Sequence, residues 1–125
     1  MMRRTLLLLV ALGVLAAPRA QGQKATERFI PIGKSPGLSG KRTYMGKIGT
    51  VDADGRTIGG KTWSATVTDR TRIWLDRTKL GLSNTKGTVK DLKPGAVIEV
   101  KYEGREKKTS GPAEWIKIEV PAAAK

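Results

Sequence analysis

The chain has no cysteine and no histidine, and its aromatic residues are limited to three Trp, two Tyr and one Phe. Without cysteine there is no disulfide framework, thiol nucleophile, lipoprotein anchor or thiolate metal site. Without histidine the commonest general base and zinc ligand is missing as well. Negative charge is scarce: 11 Asp and Glu face 24 Lys and Arg, for a formal net charge of +13. No apolar run approaches the roughly 20 residues that a comfortable membrane span requires. No catalytic triad, dinucleotide fingerprint or phosphate loop occurs either. At 125 residues the chain has room for one small domain.

The front of the chain reads as an address. Met1, Met2, Arg3 and Arg4 precede an apolar run over residues 6–17, and small residues follow. A basic end, a short apolar stretch and Ala20-Gln21-Gly22 match a secretory signal peptide over residues 1–22, cut after Gly22, with Ala16 and Ala20 as alternative sites. The expected location is periplasmic or secreted. Cleavage removes Arg3, Arg4 and Arg19 and leaves the remainder strongly basic.

Residues 23–42 (QKATERFIPIGKSPGLSGKR) carry Pro, Gly and scattered charge with neither a helical nor a strand period. They read as a flexible, irregular arm in which Phe29, Ile30, Ile32 and Leu38 are able to dock on a core. From residue 43 the pattern changes to short β-rich runs separated by turns. Strands are expected over 43–51, 57–68 (with a break at Gly59-Gly60), 71–75, 96–102 and 113–120. The Asp52-Ala53-Asp54-Gly55 segment is a tight turn, because Asp-Gly supplies a positive φ. Residues 76–89 read as a long loop or one helical turn, and residues 121–125 as a tail.

Charge sets a register for the last two strands. Pairing Ile98, Val100 and Tyr102 with Ile116, Ile118 and Val120 on one face leaves two choices. One sets Glu99 opposite Lys117 and Lys101 opposite Trp115. The other sets Glu99 against Glu119 and Lys101 against Lys117. Opposite charges favour the first by roughly 0.2–1 kcal/mol per pair. Five short strands over residues 43–120 are too few for two generous sheets. An all-β, five-stranded, OB-like barrel is therefore expected, since closure also removes exposed edges; a short open meander or half-sandwich is the alternative.

Several segments in order carry a family likeness. They are Gly46-Lys47-Ile48-Gly49-Thr50-Val51-Asp52, Arg56-Thr57-Ile58, Val67-Thr68-Asp69-Arg70-Thr71-Arg72-Ile73, and Asp91-Leu92-Lys93-Pro94-Gly95 before Val97-Ile98-Glu99-Val100. Together they resemble a family of small exported bacterial domains of unknown function with OB-like β-barrels. The resemblance implies the fold and the envelope location, and supplies no catalytic residues.

Three constellations bear on function. Asp52-x-Asp54-Gly55 opens like a calcium loop, but Arg56, Ile58 and Trp63 stand where further oxygen ligands are needed, so the turn reading prevails. Glu99 and Glu119 stand beside Lys101 and Lys117, where solvated ion pairs explain them better than catalysis does. No enzymatic activity, cofactor or metal is expected. The third constellation is an outward strip of Arg72, Trp74, Lys101, Trp115 and Lys117, in which cations alternate with aromatics as polyanion binding requires. The competing reading of the strip has Lys101 covering Trp115 and Trp74 in the core.

The expected function is that of a non-enzymatic binding or accessory module whose basic surface meets an anionic envelope polymer or an acidic exported protein. One alternative is an OB-type binder of single-stranded nucleic acid or oligosaccharide, although export places nucleic acid out of reach in the cell. The other is a structural partner domain of another exported protein.

Overall fold

Short β-rich runs punctuated by Gly, Asp and Pro give short strands, and the computed structural model describes them over residues 26–122. The expected signal peptide, the first residues of the arm and the end of the tail lie outside the described residues. Strands β1 (Thr43–Lys47), β2 (Thr50–Val51), β3 (Thr57–Gly59) and β4 (Ser64–Thr66) come first, followed by β5 (Arg72–Asp76) and β6 (Thr85–Lys86). The last two are β7 (Val97–Tyr102) and β8 (Ala113–Glu119), and single 3-10 turns fall at Thr78–Leu80 and Val89–Asp91. Among the described residues no helix is long and apolar enough to cross a membrane.

The strands form a mixed five-stranded sheet in the order β1-β7-β8-β5-β6 and a three-stranded sheet in the order β2-β3-β4. All pairs are antiparallel except β5 with β8. The closed five-stranded barrel expected from the sequence is not found. The reason is local: the second expected strand, over 57–68, does not run through. It reverses at Gly60, whose amide bonds back to the Trp63 carbonyl at 2.9 Å. A Cβ on Gly60 would sit 2.4 Å from Trp63 Nε1, and one on Gly59 would sit 2.9 Å from the Trp63 carbonyl oxygen. Only glycine permits that approach.

The two sheets share one core. Ile58 and Ala65 of the small sheet join Ile73, Ile98, Val100, Tyr102, Ile116 and Ile118 of the large one in a single buried cluster. Tyr102 donates its hydroxyl to the Ser64 carbonyl at 2.7 Å, and Thr66 bridges in parallel to Pro112. The β7–β8 register is the one that charge pairing favours, with Glu99 opposite Lys117 and Lys101 opposite Trp115. At Lys101/Tyr102 the register slips, which leaves Glu114 as an extra residue in β8.

The sheet's second face is also covered. Along β8 five residues in seven are buried, where a half-solvated strand would alternate. Residues 26–42 cause this by crossing the outer face as a series of turns. The Ile32 amide donates to Asp76 Oδ2 on β5 at 2.8 Å, and the Gly33 amide to Glu99 Oε1 on β7 at 3.0 Å. At its end the Gly40 amide donates to Thr43 Oγ1 on β1 at 3.1 Å.

Candidate functional site

Period two and the strand registers place the expected strip on one face of the large sheet. One cross-strand row holds Thr43, Lys101, Trp115 and Arg72, and the next holds Met45, Glu99, Lys117, Trp74 and Lys86. Trp74 and Trp115 stay outside the main core cluster and tilt against each other, with ring centroids 5.6 Å apart. The five expected residues therefore do share a face. They are not the solvent-facing strip the sequence suggests: Trp74 is 5% and Trp115 3% exposed, while Lys117 is completely buried. Only Arg72 among the five is exposed.

The arm accounts for the difference. Lys117 Nζ donates to Glu27 Oε2 at 2.9 Å, to the Ile30 carbonyl at 2.8 Å and to Ser35 Oγ at 3.2 Å, and it lies 4.7 Å from the Trp115 ring centroid. Glu27 also accepts from the Ser35 hydroxyl. Glu99, equally buried, accepts at Oε2 from Thr43 Oγ1 at 2.6 Å and Ser39 Oγ at 2.7 Å. The solvated ion pairs expected from the sequence are thus replaced. Glu99 and Lys117 are sealed under the arm, Lys101 pairs with Glu114 at 2.8 Å, and Glu119 pairs with Lys79 at 3.2 Å. A buried charge must be compensated: Lys117 has an ion pair and hydrogen bonds, and Glu99 is held by hydrogen bonds from Gly33, Ser39 and Thr43.

Between the arm and the sheet an open groove of about 640 Å³ remains, a size usual for ligand sites. Arg72, Trp74, Lys101 and Trp115 line it; Lys117 does not. Sequence reasoning missed Arg70, Glu27, Glu114 and the arm residues Ile30 and Leu38, which line it too. The apolar residues of the arm carried a signal for Ile30 and Leu38, whereas Arg70 sits in a turn that no period marks. The Lys101 ammonium is fully engaged, since it also donates to the Gly104 carbonyl at 3.2 Å and lies 3.4 Å from the Tyr102 carbonyl. Arg70 and Arg72 are exposed, and neither guanidinium makes a hydrogen bond or ion pair among the described residues. The groove thus joins an apolar floor to two guanidiniums with donors to spare.

Other polar groups are structural. Burial works to raise the Asp76 carboxyl, but bonds from the Thr78 hydroxyl and the Ile32 and Thr78 amides, with the Lys117 charge, hold it below its ordinary value. Burial pushes the Tyr102 hydroxyl up to about 12. The Asp52–Gly55 turn closes on itself: Asp52 Oδ1 accepts from the Thr57 and Arg56 amides at 3.0 Å, and Gly55 takes φ +75°. Those amide bonds, Thr57 first, lower the Asp52 carboxyl. No group of three or more acidic side chains suited to a metal ion occurs among the described residues. Comparison with family models, with curated proteins and with solved structures found no match to this chain.

Proposed function

We propose that the protein is an exported, non-enzymatic binding module that holds anionic envelope material against its cationic surface. The observation that carries this reading is the convergence of Arg70 and Arg72, both without acidic partners among the described residues, on the rim of an apolar groove. Once residues 1–22 are removed the net charge is +10, which supplies the long-range attraction. The apparent signal peptide supplies the compartment. The fold behind the groove is read as OB-like, opened into two sheets. Support for this comes from the ladder order β1-β7-β8-β5, the Thr66–Pro112 bridge to β4, and the path back through β3 to β2. The resemblance to small exported OB-like domains points the same way.

Burial of Trp74 and Trp115 weighs against the alternative of stacking bases or sugars, which requires open ring faces. The test is a titration of the protein with purified lipopolysaccharide and with heparin, at 0.1 M and 1 M salt. Binding at low salt should fall steeply at high salt, as the screening length drops from about 10 Å to about 3 Å. Lack of binding at low salt, or binding indifferent to salt, rejects the reading.

A further inference from the structure

We infer that the groove takes a single-chain anionic amphiphile, with its phosphate or carboxylate head on Arg70 and Arg72 and its hydrocarbon chain against Ile30, Leu38, Trp74 and Trp115. This rests on the binding reading above and names its ligand class. Three observations lead to it.

First, the free hydrogen-bonding capacity is confined. Glu27 is engaged by Lys117 and Ser35, and Glu114 by Lys101. A sugar chain lying along the groove would press its hydroxyls on the apolar side chains of Ile30 and Leu38 with few partners, at a cost for each one unsatisfied. A hydrocarbon chain carries no such cost.

Second, the aromatic floor cannot act as a stacking platform. The two indoles are almost wholly buried, which leaves no open ring face for a base or sugar to stack on. The packing of methylenes is not directional and needs no such face.

Third, the groove's two cations without acidic partners among the described residues lie close together in the chain, whereas Lys101 is paired with Glu114. Arg72 begins β5 and Arg70 lies in the turn just before it, while Trp74 is one strand repeat further in. Two guanidiniums with donors to spare beside an apolar lining complement one anionic head followed by an apolar tail. They do not complement a chain of evenly spaced charges.

Dodecyl phosphate below its micelle concentration tests this, with inorganic phosphate, dodecyl maltoside and heparin as comparators, each followed by calorimetry and tryptophan fluorescence. Dodecyl phosphate should bind saturably and at least about a hundredfold more tightly than inorganic phosphate, because each buried methylene adds to the affinity. It should also bind more tightly than the uncharged dodecyl maltoside. Arg70→Ala and Arg72→Ala lie on the surface and leave the fold intact; each should weaken dodecyl phosphate about tenfold. Equal binding of inorganic phosphate, equal binding of dodecyl maltoside, or no effect of either arginine variant overturns the inference. Heparin binding at low salt with no dodecyl phosphate binding overturns it too and leaves the broader reading standing. If neither binds, both fail.

Discussion

Glu99 and Lys117 stand opposite each other in the β7–β8 ladder, yet they form no ion pair among the described residues. Each turns to the arm instead: Lys117 to Glu27, 90 residues away, and Glu99 to Gly33 and Ser39. Two opposite charges that would ordinarily mark a solvated strand face here serve as two clasps for a segment with little regular structure of its own. The groove lies between this clasped segment and the sheet.

Removing one clasp should loosen the arm. Lys117→Met leaves the Glu27 carboxylate, the Ile30 carbonyl and Ser35 without their shared donor. The expected loss is about 3 kcal/mol in urea unfolding, the usual cost of breaking one side of a buried pair. Proteolysis should then cut within residues 26–42 before the sheet unfolds. A variant as stable and as protease-resistant as the parent would show that the clasp contributes nothing.

Tryptophan accessibility reports the same event independently. With Trp63, Trp74 and Trp115 all buried, acrylamide should quench the native emission weakly. Quenching should rise in Lys117→Met as Trp74 and Trp115 are uncovered, while Trp63 stays in the core. Strong quenching in the unaltered protein would contradict the covered face.

Alkaline pH should act through Tyr102. Burial pushes its hydroxyl up to about 12 from the ordinary 10.0, so the protonated form is favoured by folding. The stability this contributes is complete below pH 10 and is lost as pH rises toward 12. Ultraviolet titration of tyrosinate should show one late ionisation that vanishes in Tyr102→Phe, and that variant should lose less stability across the window. Two tyrosines titrating together near 10 would refute it.

Acid should act in part through Asp76. Its carboxyl is held below the ordinary 3.8, so its contribution is present above that pH and disappears as pH falls below it. Asp76→Asn should flatten this part of the acid limb in unfolding curves measured against pH. An unchanged acid limb would remove Asp76 from the account.

The turn at Gly60 should tolerate no side chain. A Cβ there would meet the Trp63 indole at 2.4 Å, so Gly60→Ala must shift a core ring. The expected cost is about 1–3 kcal/mol, typical of overpacking, read as a lowered urea midpoint. A variant of native stability would mean that the ring moves freely.

Much of the sheet was legible in the sequence. Alternation put Ile73, Ile116 and Ile118 on one face and Arg72, Trp74, Trp115 and Lys117 on the other, and charge pairing selected the β7–β8 register. Less legible was the division into two sheets, because Gly59 and Gly60 permit either a bend or a reversal. The contact with Trp63 decides for reversal. The groove was legible by halves: its sheet residues follow from period two, its arm residues only as apolar side chains able to dock somewhere.

By itself, then, the amino-acid order determined β5, β7 and β8, their faces and the sign of the surface charge, because these depend on neighbours one or two positions away or directly across a ladder. Only the tertiary structure decided that the cationic-aromatic face is covered. That outcome depends on whether a segment without periodicity, residues 26–42, can satisfy Asp76, Glu99 and Lys117 far along the chain. Partners of that kind leave no repeat to read, since the bonds come from backbone amides, carbonyls and single hydroxyls whose positions only the folded chain sets.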